Sequence, residues 1–221
     1  MRVKICGVTT PQIAAAAAAA GADAIGVVLT PARRQVTYDQ ARAIVRALPP
    51  FVAPVGVFVD AAAAEIEAAA SALSLYAVQL HGDEPPELCA SLQRGGIRVI
   101  KAIRIAGRPD LDRLVQYRSA SALLLDTRVE GLAGGTGRTF PWEVAVDLWR
   151  DFRIIVAGGL TPENVRRALD MLQPYGLDVA SGVETNGSKD VQKIRAFVAQ
   201  VREWERDGRP LGKADSPTQT A

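Results

Sequence analysis

The sequence predicts a single (βα)8 TIM barrel, on three observations. Short apolar, β-branched runs recur at intervals of roughly 20 to 30 residues, the length of one strand–helix unit. The runs are apolar throughout instead of alternating, as in strands of a parallel sheet covered on both faces. Stretches with helical spacing and helix start and stop signals fill the gaps between them. An open doubly wound sheet is the alternative, but its usual glycine-rich turn after the first strand is absent.

The predicted strands are Val3–Cys6, Ala24–Leu29, Ala53–Val59, Ala77–Leu80, Arg98–Ile103, Ala122–Asp126, Arg153–Ala157 and Leu177–Ala180. Thr10 is the N-cap of the first helix with Pro11 at its first position, and Gly21 closes it. Thr37 to Leu48 carries Ala41, Ile44, Val45 and Leu48 on one helical face, and Pro49-Pro50 stops it. Asp60 is expected to cap Ala61 to Ala72, and Pro85 to Arg94 ends at Gly95-Gly96. Pro109 to Tyr117 is amphipathic, and Pro141 to Arg150, Thr161 to Leu172 and Asp190 to Asp207 complete the set. The barrel is expected over residues 1–207, with Gly208 to Ala221 a disordered polar tail.

Composition narrows the function. Of 221 residues 48% are hydrophobic and 23% charged, the balance of a globular chain. Aromatics are only 5%, so Ala, Val, Leu and Ile must build the core. Basic and acidic residues number 26 and 24 and are scattered, which gives no electrostatic case for nucleic acid. Cys6 and Cys89 allow at most one disulfide and no zinc cluster. His81 is the single histidine, so a Ser-His-Asp triad would need it as the base. The N-terminus reads as a strand, not a signal peptide, and the Ala14 to Ala20 run is far short of the roughly 20 residues that span a bilayer. A cytoplasmic protein without membrane segment or metal is the expectation.

Three longer stretches follow strand C-termini. Pro31 to Val36 carries Arg33-Arg34, Thr127 to Pro141 holds Gly134-Gly135-Thr136-Gly137, and Ser181 to Lys189 follows the eighth strand. All three would share the face on which barrel active sites lie.

Cys6 ends the first strand and is either a small buried hydrophobe or, if its thiol is activated, a base or nucleophile. Cys89 lies in a helix beside Leu88 and reads as core. Asp126 follows four apolar residues; partial desolvation there suits it to general-acid work, while ordering the next loop is the other reading. Gly158-Gly159 and Ser181-Gly182 follow strands seven and eight, whose loops form the usual phosphate site of such barrels. Arg34 is a surface arginine or a fork for a carboxylate or phosphate. His81 ends the fourth strand, either ordering its loop or lining the site.

Together these segments resemble the phosphoribosylanthranilate isomerases of tryptophan biosynthesis. The resemblance runs through Lys4-Ile5-Cys6-Gly7-Val8-Thr9, Gly26-Val27-Val28, Gly56-Val57-Phe58-Val59, Val78-Gln79-Leu80-His81-Gly82 and Leu124-Leu125-Asp126. It continues through Gly134-Gly135-Thr136-Gly137, Ala157-Gly158-Gly159-Leu160, Pro162-Glu163-Asn164-Val165, Ser181-Gly182-Val183-Glu184 and Gly187-Ser188-Lys189-Asp190.

The resemblance implies a cofactor-free Amadori rearrangement of N-(5-phosphoribosyl)anthranilate to 1-(2-carboxyphenylamino)-1-deoxyribulose 5-phosphate. By position it implies Asp126 as general acid, Cys6 as general base and Arg34 on the anthranilate moiety. It places phosphate at Gly158, Gly159, Ser181 and Gly182. His81, from its place at the strand end, is expected among the substrate-binding residues, and the assembly is expected to be a monomer or homodimer, as members of this fold are. The chain departs from the family pattern at Ala32-Arg33-Arg34, where Ser-Pro-Arg is usual, at Ala180, where serine is common, and at Leu29, where an aromatic is common. The isomerase of histidine biosynthesis performs the same rearrangement but carries aspartate where Cys6 stands. Indole-glycerol-phosphate synthase needs a catalytic Lys and Glu that have no counterpart here. A phosphosugar-binding barrel without chemistry is the remaining alternative.

Overall fold

The computed structural model describes residues 1–105, 108–127 and 152–208. Eight parallel strands close a barrel in chain order: β1 (Arg2–Cys6), β2 (Ala24–Val28), β3 (Ala53–Phe58), β4 (Ala77–Leu80), β5 (Val99–Ile105), β6 (Ala122–Thr127), β7 (Ile154–Val156) and β8 (Gly176–Val179). β8 returns to pair with β1, Lys4 standing opposite Asp178. Closure leaves the barrel sheet itself without a free edge.

The described α-helices are α1 (Pro11–Ala19), α2 (Tyr38–Arg46), α3 (Ala63–Ala72), α4 (Pro86–Arg94), α5 (Val165–Leu172) and α6 (Val191–Arg206). Their starts follow local chemistry. The Thr10 hydroxyl accepts the Ile13 N–H, and Thr37 and Gln40 form a reciprocal capping box. Asp190 accepts the Gln192 and Lys193 N–H groups at the start of α6. No helix among the described residues is long and apolar enough to cross a membrane.

Two apolar layers result. Val55, Ala77, Ile100, Ala102, Ala122, Leu124, Ile155 and Ala157 fill the barrel. The outward residues of the strands pack with the helices, among them Val3, Ile5, Ile25, Leu80, Leu123, Phe197 and Trp204. Alanine recurs in the inner layer, which fits a chain poor in aromatics.

Three expectations need correction. Asp60 does not cap α3, which starts at Ala63 behind Ala62. Its backbone is left-handed (φ 50°), its N–H donates to Glu84, and its carboxylate accepts the Asp83 N–H. The segment Arg108–Tyr117 is a 3-10 helix, not an α-helix. Leu114 and Tyr117, three residues apart, are buried while Val115 is half exposed, a spacing that three residues per turn satisfies. α5 begins at Val165, not Thr161, because the Asn164 side chain folds back to accept the Thr161 N–H. The expected helix Pro141–Arg150, most of the loop Thr127–Pro141 and all of the tail beyond Gly208 lie outside the described residues.

Candidate active site

Cys6 is the last residue of β1, and Asp126 sits one residue before the end of β6. Three steps round the ring separate β6 from β1. The thiol and the carboxylate therefore stand on opposite sides of the barrel mouth, at the strand C-termini.

Cys6 is 8% exposed and packs with Val28, Val57 and Ala180. Burial pushes its thiol above the ordinary cysteine range, Asp178 adds to that, and Lys4 pulls the other way. Lys4 donates from Nζ to Asp178 Oδ1 at 2.8 Å, and both side chains are buried. Burial works against the Lys4 ammonium, yet Asp178, with help from Cys6, holds its pKa above the ordinary lysine value.

Asp126 meets the histidine. The Gln79 amide donates to His81 Nδ1 at 2.7 Å, and His81 Nε2 then donates to Asp126 Oδ2 at 3.2 Å. The loop carrying His81 is pinned from below by a buried ion pair, Lys101 Nζ to Glu84 Oε2 at 2.7 Å. Lys101 also donates to the Gly82 carbonyl, while Glu84 accepts the Gly82 N–H. The loop is thus ordered by Lys101 and Glu84, and the His81 ring lies against Asp126.

Arg34 lies across the mouth from β2. A Cβ built on Gly7 would come within 2.3 Å of Arg34 Cδ, so the arginine stem rests on the residue after Cys6. Its guanidinium donates through Nε and Nη2 to both oxygens of Glu184, at 2.6 and 3.1 Å. Arg33 and Lys189 donate to the same carboxylate. Burial opposes the Glu184 charge, but hydrogen bonds from Arg34 and Lys189 bring its pKa down to about 2. Glu184–Thr185 and Ser188–Lys189 form a small antiparallel ladder that brings Lys189 back to Glu184.

Gly158 and Gly159 take left-handed φ of 79° and 66°, which glycine adopts without strain. Asn164 fixes this turn by donating to the Gly159 carbonyl. Gly182 lies against it: a Cβ there would fall 1.7 Å from the Leu160 carbonyl oxygen. The turns after β7 and β8, Ser181 included, are thereby one continuous surface.

The structure thus brings Cys6, Asp126, Arg34, His81, Gly158, Gly159, Ser181 and Gly182 to one barrel face. Gly134 to Gly137 lie outside the described residues. Sequence reasoning assigned no role to Lys4, Asp178, Gln79, Glu184 or Lys189. Lys4 and Asp178 carried a usable signal, since each interrupts an apolar strand with a charge and the two charges are opposite. Cys89 is fully buried in α4, as expected, with its thiol pushed up to about 11 by burial. Both cysteines are free.

A second cavity, of about 780 Å³, opens at the opposite end, among Arg2, Phe51, Tyr76, Arg98, Arg153 and Tyr175. It lies at the strand N-termini, the end of such barrels that serves stability.

A family model for N-(5'-phosphoribosyl)anthranilate (PRA) isomerase matches residues 3–200. The chain is 48% identical to N-(5'-phosphoribosyl)anthranilate isomerase of Desulforamulus reducens, over 92% of this chain and 96% of that one. It is 47% identical to the Pseudomonas aeruginosa enzyme over 94% and 98%. The phosphoribosyl anthranilate isomerase structure from Thermotoga maritima superposes with a TM-score of 0.86 at 42% identity, covering 92% of this chain and 99% of that one. Another solved isomerase, in complex with reduced 1-(o-carboxyphenylamino)-1-deoxyribulose 5-phosphate, gives 0.83 at 40% identity, with coverage of 92% and 99%. With a family model matching residues 3–200 and relatives 48% identical over nearly the whole chain, the chain belongs to the N-(5'-phosphoribosyl)anthranilate isomerase family.

Proposed function

We propose that the protein isomerises N-(5-phosphoribosyl)anthranilate to 1-(2-carboxyphenylamino)-1-deoxyribulose 5-phosphate in tryptophan biosynthesis, with Asp126 as general acid and Cys6 as general base. The observation that carries the assignment of roles is the placement of one carboxylate and one thiol on opposite sides of the barrel mouth.

Asp126, as general acid, delivers a proton to the furanose ring oxygen as the bond from that oxygen to C1 breaks. The product is an open-chain Schiff base with a positive nitrogen. Cys6, as thiolate, then takes the proton from C2, and the C–H electron pair moves into the C1–C2 bond to give an enolamine. Tautomerisation yields the ketone. Burial favours the Cys6 thiol in the free enzyme; its proton leaves to solvent as substrate binds, and the arriving iminium favours the thiolate that results. The proton thus moves when the substrate's own charge is in place. Arg34 holds the anthranilate carboxylate, and the turns at Gly158, Gly159, Ser181 and Gly182 hold the phosphate. His81 lines the substrate site beside Asp126. The reaction is an internal redox shift that needs no cofactor or metal, and we place the enzyme in the cytoplasm as a monomer or homodimer.

Anthranilate conjugates fluoresce, so consumption of freshly made phosphoribosylanthranilate can be followed directly. Cys6→Ala and Asp126→Asn should each lower kcat at least about 100-fold, as loss of a general base or acid does. Near wild-type kcat in either variant would remove that residue's role. Phosphate-analogue binding with no turnover by the wild type would leave a phosphosugar-binding barrel.

A further inference from the structure

We propose that Lys4 is a positioning residue for Cys6: anchored by Asp178, its ammonium stands against the sulfur and holds the negative charge that the base must carry inside the barrel. This rests on the reading of Cys6 as the base.

Lys4 and Cys6 are two residues apart on β1 and so face the same side of the sheet. Lys4 stands opposite Asp178 in the β1–β8 register, and Cys6 opposite Gly26 in the β1–β2 register. Gly26 leaves the space in which the two side-chain heads converge. A Cβ built there would lie 2.9 Å from Cys6 Sγ and 3.0 Å from Lys4 Nζ. An alanine at that position would push both away.

A buried ion pair is weak grounds for stability, because apolar residues of similar volume serve at least as well. The Lys4–Asp178 pair is nearly closed to solvent, with side chains 5% and 6% exposed. Its geometry gives it a different use. Asp178 consumes one N–H of the ammonium and fixes its position, and the charge is then directed at a thiol two residues along. The other charged groups facing Cys6 are Asp178 from β8, Lys189 from the hairpin beyond it, and Arg34, whose stem lies over Gly7. Val28 and Val57, from β2 and β3, are apolar.

During proton abstraction the substrate C2–H bond breaks, an S–H bond forms, and the electron pair flows toward the iminium nitrogen. Lys4 remains protonated throughout. It balances the thiolate before transfer and stands beside a neutral thiol afterwards.

The arrangement makes an opposite-sign prediction for the two members of one ion pair. In a Cys89→Ser background, Cys6 is titrated by its iodoacetamide alkylation rate and its thiolate absorbance. Lys4→Met should move the midpoint up by about one unit and slow alkylation near neutral pH about 10-fold. Asp178→Asn should move it down and speed alkylation, and Lys4→Arg should restore most of the wild-type behaviour. With Lys4→Met, kcat/KM should fall about 10-fold at neutral pH and recover as the pH rises.

Melting temperatures that fall in both variants without opposite movement of the midpoint would overturn the proposal and leave the pair structural. If Lys4→Met does not fold, Asp178→Asn still decides: an unmoved or raised midpoint overturns it. The titration requires no turnover, so it stands apart from the Cys6→Ala test of the base itself.

Discussion

The imidazole of His81 lies 3.2 Å from the carboxylate of Asp126, although 45 residues separate them in the chain. Gln79, two residues before His81 and fully buried, holds the far side of the ring. A ring held at both nitrogens is placed to orient that carboxylate.

If that orientation is what His81 supplies, His81→Leu should lower kcat about 10-fold with KM within about twofold, because a misplaced general acid affects the transition state more than binding. Steady-state kinetics separate the cases. A rise confined to KM would put His81 on the substrate alone.

Glu184 gathers Arg33, Arg34 and Lys189 on one carboxylate. Glu184→Gln keeps the volume but removes the charge, so Arg34 loses its fixed position beside Gly7. KM should rise about 10-fold with a smaller change in kcat. An unchanged KM would show that Arg34 does not need this anchor.

The same carboxylate gives a pH signature. Its pKa in the folded protein is about 2, against an ordinary 4.5. A depressed carboxyl contributes stability above its unfolded value and loses it as the pH falls toward the folded one. The stability gap between wild type and Glu184→Gln should therefore be full above about pH 5 and vanish near pH 2. Urea melts across that range measure it, and a gap independent of pH would contradict the assignment.

Gly182 tests whether the two turns act as one surface. Alanine there would drive a Cβ into the Leu160 carbonyl oxygen. Backbone cannot swing aside as a side-chain end can, so the turns must part. A loss of about 1–3 kcal/mol is expected, with weakened binding of inorganic phosphate measured by calorimetry. Gly96→Ala makes the control: its Cβ meets nothing within 4 Å and it lies outside the site, so only its left-handed φ of 82° resists. That variant should cost about 1 kcal/mol and leave phosphate binding intact.

Lys101 and Glu84 hold the loop under His81 with side chains 3% and 2% exposed. Lys101→Met would leave the Glu84 charge buried without its cation, at about 3–5 kcal/mol. Chemical denaturation reads that loss directly. A cost below about 1 kcal/mol would mean that the three backbone N–H bonds from Asp60 and Gly82 suffice for Glu84.

The fold was legible because its signal is local. Apolar runs such as Ala24–Val28, between helices that Thr10 and Thr37 cap, specify strand–helix units one at a time, and the closed order β1 to β8 follows from their repetition. At Asp60 the local signal misled because a distant group had taken the side chain. Asp60 looks like a cap, but Asp83 and Glu84 use its polar groups. Leu114 and Tyr117 fit a helix of either pitch, and packing selected the tighter one.

By itself, the sequence determined the barrel, the face that carries the loops, and the end of each strand there to within two residues. Cys6 and Asp126 are named by position along the chain, since a strand's last residues reach the mouth wherever the strand sits in the ring. Only the tertiary structure decided what each of them touches. Lys4 meets Asp178 across 174 residues of chain, and Arg34 meets Glu184 across 150. The strength of such pairs depends on distance and burial, and neither exists until closure brings β8 against β1.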